Sequence, residues 1–131
     1  MKKIFLYWKT LIWSFFMLFV FLLPANSLSK APAVPGMSQL IHIILFFIFT
    51  WLLVRDQICP SFQKRPAVKM YLKALFFSLF FGAVIELLQN VSGFGRNAEF
   101  LDLVYDVSGS ILSIIILIFY FRHRQATVSK D

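Results

Sequence analysis

The chain predicts an all-α integral membrane bundle of four transmembrane helices, and three observations lead there. Its 131 residues are 60% hydrophobic with a mean hydropathy of +0.78, too apolar for one small soluble domain. The apolar residues arrive in runs of membrane length. Seventeen Phe against five Gly favour helices filled with bulky side chains, and the sequence lacks the strict apolar–polar alternation of a membrane barrel. With no internal repeat, residues 1–131 read as a single domain.

Four spans follow in order: Phe5 to Leu23, Met37 to Val54, Met70 to Asn90 and Leu101 to Phe121. Each is near the twenty or so residues needed to cross a hydrocarbon core of about 30 Å. Lys9 and Lys73 lie near the starts of the first and third spans, where a long side chain can snorkel to the headgroups. The Pro, Ser and Ala cluster from Pro24 to Pro35 reads as a loop. A cleaved signal peptide is the competing reading of the first span, but its apolar run exceeds the usual signal core of about 7 to 15 residues. The later topology is the same under either reading.

The basic residues give an orientation. Lys2, Lys3, Lys9, Arg55, Lys64, Arg65, Lys69, Lys73, Arg122, Arg124 and Lys130 fall on one side, and only Lys30 and Arg96 on the other. The positive-inside rule then places both termini in the cytoplasm. The net charge of +7 is a topological signal and an attraction to anionic lipid, not a nucleic-acid footprint. The single Cys, Cys59, excludes an intrachain disulfide and a thiolate metal cluster.

Chemistry concentrates between Glu86 and Gly109. Glu86, Gln89, Arg96, Asp102 and Asp106 sit in or beside segments otherwise made of Leu, Ile, Val and Phe, and ionisable residues inside a membrane are expensive enough to mark a site. The alternative is an ion-pair network that only locks two helices together. Glu86 and Asp106 each lie about one turn, some 6 Å, beneath the outer ends of the third and fourth spans, and His42 enters the second span from that side. Ser78, Gly82, Glu86 and Asn90 share one helix face, as do Asp102, Asp106, Gly109 and Ser113, and small residues at such spacing let membrane helices approach closely. Run antiparallel, the two stripes predict Asn90 beside Asp102, Glu86 beside Asp106, Gly82 beside Gly109 and Ser78 beside Ser113. Two carboxylates meeting at low dielectric need a neutralising partner, so one of Glu86 and Asp106 is expected to be protonated or held by Arg96, with His42 the other nearby base.

These residues carry a resemblance. Glu86-Leu87-Leu88-Gln89, the Gly-flanked Arg96, and Leu101-Asp102-Leu103-Val104-Tyr105-Asp106-Val107-Ser108-Gly109 are similar to the second half of the VanZ-like family. His42-Ile43-Ile44-Leu45-Phe46-Phe47 resembles its first-half motif of a His followed by aromatics. Ser38-Gln39 stands where the family typically has an Asp-Lys pair, and the family often has Asn at the position of Asp106. The resemblance implies a small four-span protein of the bacterial cytoplasmic membrane, in a family whose founding member is linked to low-level teicoplanin resistance. His42, Glu86, Gln89, Arg96, Asp102 and Asp106 are the site positions it carries over, with Gly109 as a packing residue.

Three functions remain open. The first is binding of an envelope lipid at the outer face, which would change how a lipoglycopeptide meets the membrane; Arg96 suits phosphate, and Phe94 and Phe100 suit acyl chains. The second is an enzyme acting on an envelope lipid, with Glu86 or Asp106 as general acid or base and His42 as partner. The third, an ion or proton pathway, is weakest, because the inner halves of the spans offer little beyond Thr50, Ser78 and Ser113. One His with carboxylates can bind a metal, but a lone His at a helix entrance is more often an interface residue, so neither metal nor cofactor is assigned. The sequence leaves the oligomeric state open.

Overall fold

A computed structural model describes residues 7–23, 36–58, 66–92 and 99–128, with side chains as far as 124. Four helices follow in chain order: α1 (Trp8–Phe21), α2 (Met37–Ile58), α3 (Val68–Ser92) and α4 (Phe100–Val128). The described residues are otherwise turn and irregular backbone. Three helices, α2, α3 and the stretch Phe100–Arg124 of α4, are long and apolar enough to cross a membrane. At 1.5 Å per residue the 22 residues of α2 reach about 33 Å. The expected first span is a shorter helix of 14 residues, about 21 Å, so the structure supports three crossings by length and leaves α1 short of that measure.

The helix ends follow local chemistry. Gly36 takes φ +82°, a left-handed conformation that suits Gly, and its carbonyl accepts the first-turn bond from Leu40 N at 3.1 Å. Asp102 occupies the first turn of α4, where a carboxylate complements the helix dipole. The second helix runs a turn beyond the expected stop at Val54. Arg55 marks a boundary by composition, but the backbone continues to Ile58 with Arg55 exposed and Asp56 turned inward.

The central helix is α2, which packs on all three others, most extensively on α4. Phe46, Phe49, Phe21, Ile85, Leu117 and Phe121 fill the interior. The outside is as apolar as the inside: Phe15, Phe19, Phe76, Phe80 and Phe119 are all exposed, while Thr50, Ser78, Ser110 and Ser113 are buried. Polar groups inside and aromatic rings outside are the distribution a lipid solvent dictates. Midway along the bundle, Thr50 Oγ1 donates to Ser78 Oγ (3.2 Å) and Ser78 pairs with Ser110 (2.6 Å), joining α2, α3 and α4.

Candidate functional site

The first quarter of α2, the last part of α3 and the start of α4 bring His42, Glu86, Asp102 and Asp106 together at one end of the bundle. His42 is 2% exposed, and its Nδ1 lies 2.8 Å from Asp106 Oδ1. With a carboxylate as acceptor, Nδ1 carries the proton and Nε2 faces Asp102 Oδ2 at 3.6 Å. The ring packs on Phe21 of α1, centroids 4.5 Å apart. Its orientation is fixed on three sides.

Glu86 is committed through one oxygen only. Its Oε2 accepts the backbone N–H of Glu99 (3.0 Å), which ties the chain entering α4 to α3. Among the described residues, Glu86 Oε1 and Asp106 Oδ2 are buried without a hydrogen-bond partner. One donor atom each from His42, Glu86 and Asp106 falls within 4.8 Å of the others. Buried acceptors left without donors are costly and uncommon in native interiors, so this pair calls for an explanation.

Of the expected pairings Glu86 beside Asp106 is found, with carboxylate oxygens within 4.8 Å, whereas the other three are displaced by about one turn. Glycine has no side chain to compete with a neighbouring carboxylate, and Asp106 lies over Gly82: a Cβ on Gly82 would meet Asp106 Oδ2 at 2.8 Å. Ser78 accordingly pairs with Ser110 rather than Ser113, whose buried hydroxyl has no partner among the described residues, and Asn90 is exposed rather than packed beside Asp102. Gly109 meets α2 instead of Gly82. A Cβ there would strike the carbonyl of Ile43.

The remaining site residues sort plainly. Gln89 is buried, and its Nε2 donates to the carbonyl of Phe21 (3.0 Å), fastening the end of α1. Arg96, Phe94, Lys30 and Cys59 lie outside the described residues, as does the Pro24 to Pro35 loop. Sequence reasoning passed over Thr10 and Asp56. Asp56 Oδ2 accepts Thr10 Oγ1 (2.7 Å) and Thr10 N (3.3 Å) inside the opposite end of the bundle, and with Ser110 these residues give the part of the bundle away from His42 more polar structure than hydropathy suggested. An Asp next to an Arg at the end of an apolar run reads as a membrane boundary. Only its position on the helix face reveals that it points inward.

What the fold and site define is an all-helical membrane protein with a buried His–carboxylate centre near one end. No family model, curated protein or solved structure matches the chain.

Proposed function

We propose that this is a VanZ-like protein of the bacterial cytoplasmic membrane in which α1 makes a fourth crossing, both termini face the cytoplasm, and the His42 centre lies just beneath the outer surface. There it binds the headgroup of an envelope lipid and changes how a teicoplanin-type lipoglycopeptide meets the membrane. The observation that carries this reading is the pair of buried acceptors, Glu86 Oε1 and Asp106 Oδ2, without donors among the described residues. A headgroup bearing ammonium or hydroxyl donors supplies what they lack. Asp102, more open than its neighbours with a side chain 19% exposed, gives the centre its outward face.

One specific feature favours a second reading, an enzyme on the same lipid. In the pairing of His42 with Asp106 a carboxylate orients an imidazole, leaving the second ring nitrogen available as a base. Binding is preferred, because the ring is enclosed by Phe21, Asp102 and Asp106.

The test replaces Glu86→Gln, His42→Ala and Asp106→Asn singly, confirms insertion, and measures lipoglycopeptide binding to cells together with envelope-lipid composition. Altered drug binding with an unchanged lipid pool is the expected result. A changed pool would move the assignment to the enzyme, and wild-type behaviour of all three variants would leave the cluster a packing device. Sidedness is tested separately after replacing Cys59: an impermeant thiol reagent should label Phe94→Cys and not Phe62→Cys in intact cells, and the reverse pattern would turn the centre toward the cytosol.

A further inference from the structure

We infer that His42, Glu86 and Asp106 form a site for one divalent first-row transition cation, with Asp102 as the carboxylate at its mouth. The first observation is convergence: a ring nitrogen and two carboxylate oxygens, from three different helices, lie within 4.8 Å of one another. Ligands around one such ion stand about 2.0 to 2.2 Å from it and so about 3.4 Å apart, which shifts of about an ångström in these side chains reach.

The second observation is independent of that spacing. On each carboxylate one oxygen is already used: Asp106 Oδ1 by His42, Glu86 Oε2 by the Glu99 amide. The other oxygens, Asp106 Oδ2 and Glu86 Oε1, are buried without a partner among the described residues, on residues 1% and 9% exposed. An acceptor-only pair of this kind is satisfied by a cation as well as by a proton donor. The ion would take His42 Nδ1, the ring nitrogen that faces Asp106, in place of the proton shared there, and Nε2–H would then face Asp102 Oδ2, a carboxylate that orients the imidazole from outside the ligand set.

Charge points the same way. Three carboxylates face one imidazole here, and a dication balances the excess that a low-dielectric interior penalises. One nitrogen with two or three oxygens is a donor set for Zn2+ or Mn2+ rather than for the soft ions that thiolates select. Gly82 contributes room, since a side chain there would press on Asp106 Oδ2. The inference uses the same two oxygens as the lipid reading: an ion there takes the place of the headgroup's ammonium or hydroxyl donors, and an envelope lipid would then be held through its phosphate instead.

The experiment uses the full, untagged chain in detergent without added lipid, so that failure of the lipid proposal does not affect it. After chelator treatment, Zn2+ and Mn2+ are titrated against a chromophoric competitor. One ion per chain is expected, weakened about tenfold or more by Glu86→Gln or Asp106→Asn and lost in His42→Ala, while the exposed acid variant Glu99→Gln binds as wild type. Substoichiometric binding by the wild type, or retention in a folded His42→Ala/Asp106→Asn double variant, overturns the site. Should that variant not fold, the wild-type chain with Mn2+ decides: hyperfine coupling to a histidine nitrogen supports the site, and its absence refutes it.

Discussion

Gly109→Ala tests the packing that holds the centre in place. An added Cβ would be driven into the Ile43 carbonyl, with the carbonyl carbon and Cα of Ile43 at 3.0 Å. The obstacle is the main chain of α2, which cannot rotate aside as a side chain does. The whole α2–α4 contact must open, and in lipid that contact depends on close van der Waals packing. Overpacking a well-filled site costs about 1 to 3 kcal/mol, and a backbone obstacle belongs at the upper end. Replacing Gly by Ala in a helix returns about 0.8 to 1.0 kcal/mol of propensity, which leaves a net loss of about 2 kcal/mol. Gly82→Ala is the internal comparison. Its Cβ meets the ends of the Asp106, Leu103 and Phe46 side chains, which can yield, so its net cost should stay below about 1 kcal/mol. Equilibrium unfolding in mixed micelles, at matched detergent fraction, measures both. The reasoning is refuted if Gly109→Ala lies within about 0.5 kcal/mol of wild type, if Gly82→Ala is the more damaging of the two, or if Ile43→Ala rescues Gly109→Ala, since truncating a side chain does not move a carbonyl.

Two further outcomes are expected elsewhere in the bundle. Thr10→Val removes the 2.7 Å hydroxyl donor to Asp56 and leaves only the 3.3 Å amide, so stability should fall by about 2 kcal/mol and α1 amides should exchange faster; unaltered exchange would contradict the assignment. Ser110→Ala breaks the bond to Ser78 and the one to the Asp106 carbonyl at a cost of about 0.6 kcal/mol each, and a loss well beyond that sum would mean the hydroxyl chain does more than join helices.

The helices and the residues of the centre were legible for one reason: in a chain this apolar, a carboxylate or imidazole inside a run of Leu, Ile and Phe stands out. Their partners were harder to read. Helical periodicity says that Gly82 and Glu86 share a face, but not how far a second helix slides along it. Matching small residue to small residue put Gly109 opposite Gly82, whereas the gap at Gly82 is filled by the Asp106 carboxylate and Gly109 serves a third helix. The pairing of His42 with Asp106 spans 64 positions and depends on how α2 and α4 are rotated toward each other, which no local pattern encodes. Asp56 was missed for the opposite reason: Arg55 beside it carried the boundary signal, and averaged hydropathy cannot separate two neighbours that point in different directions.

The attachment of α1 at both ends bears on biogenesis. Its beginning is held by Asp56 and its end by Gln89, 46 and 68 positions downstream of their partners. Neither latch exists while the ribosome is making the first helix. The first helix is therefore among the last to be secured, and until Gln89 enters the bilayer nothing fastens Phe21 against the imidazole of His42. A nascent chain stalled before that point should leave its first helix open to capture by the insertion machinery.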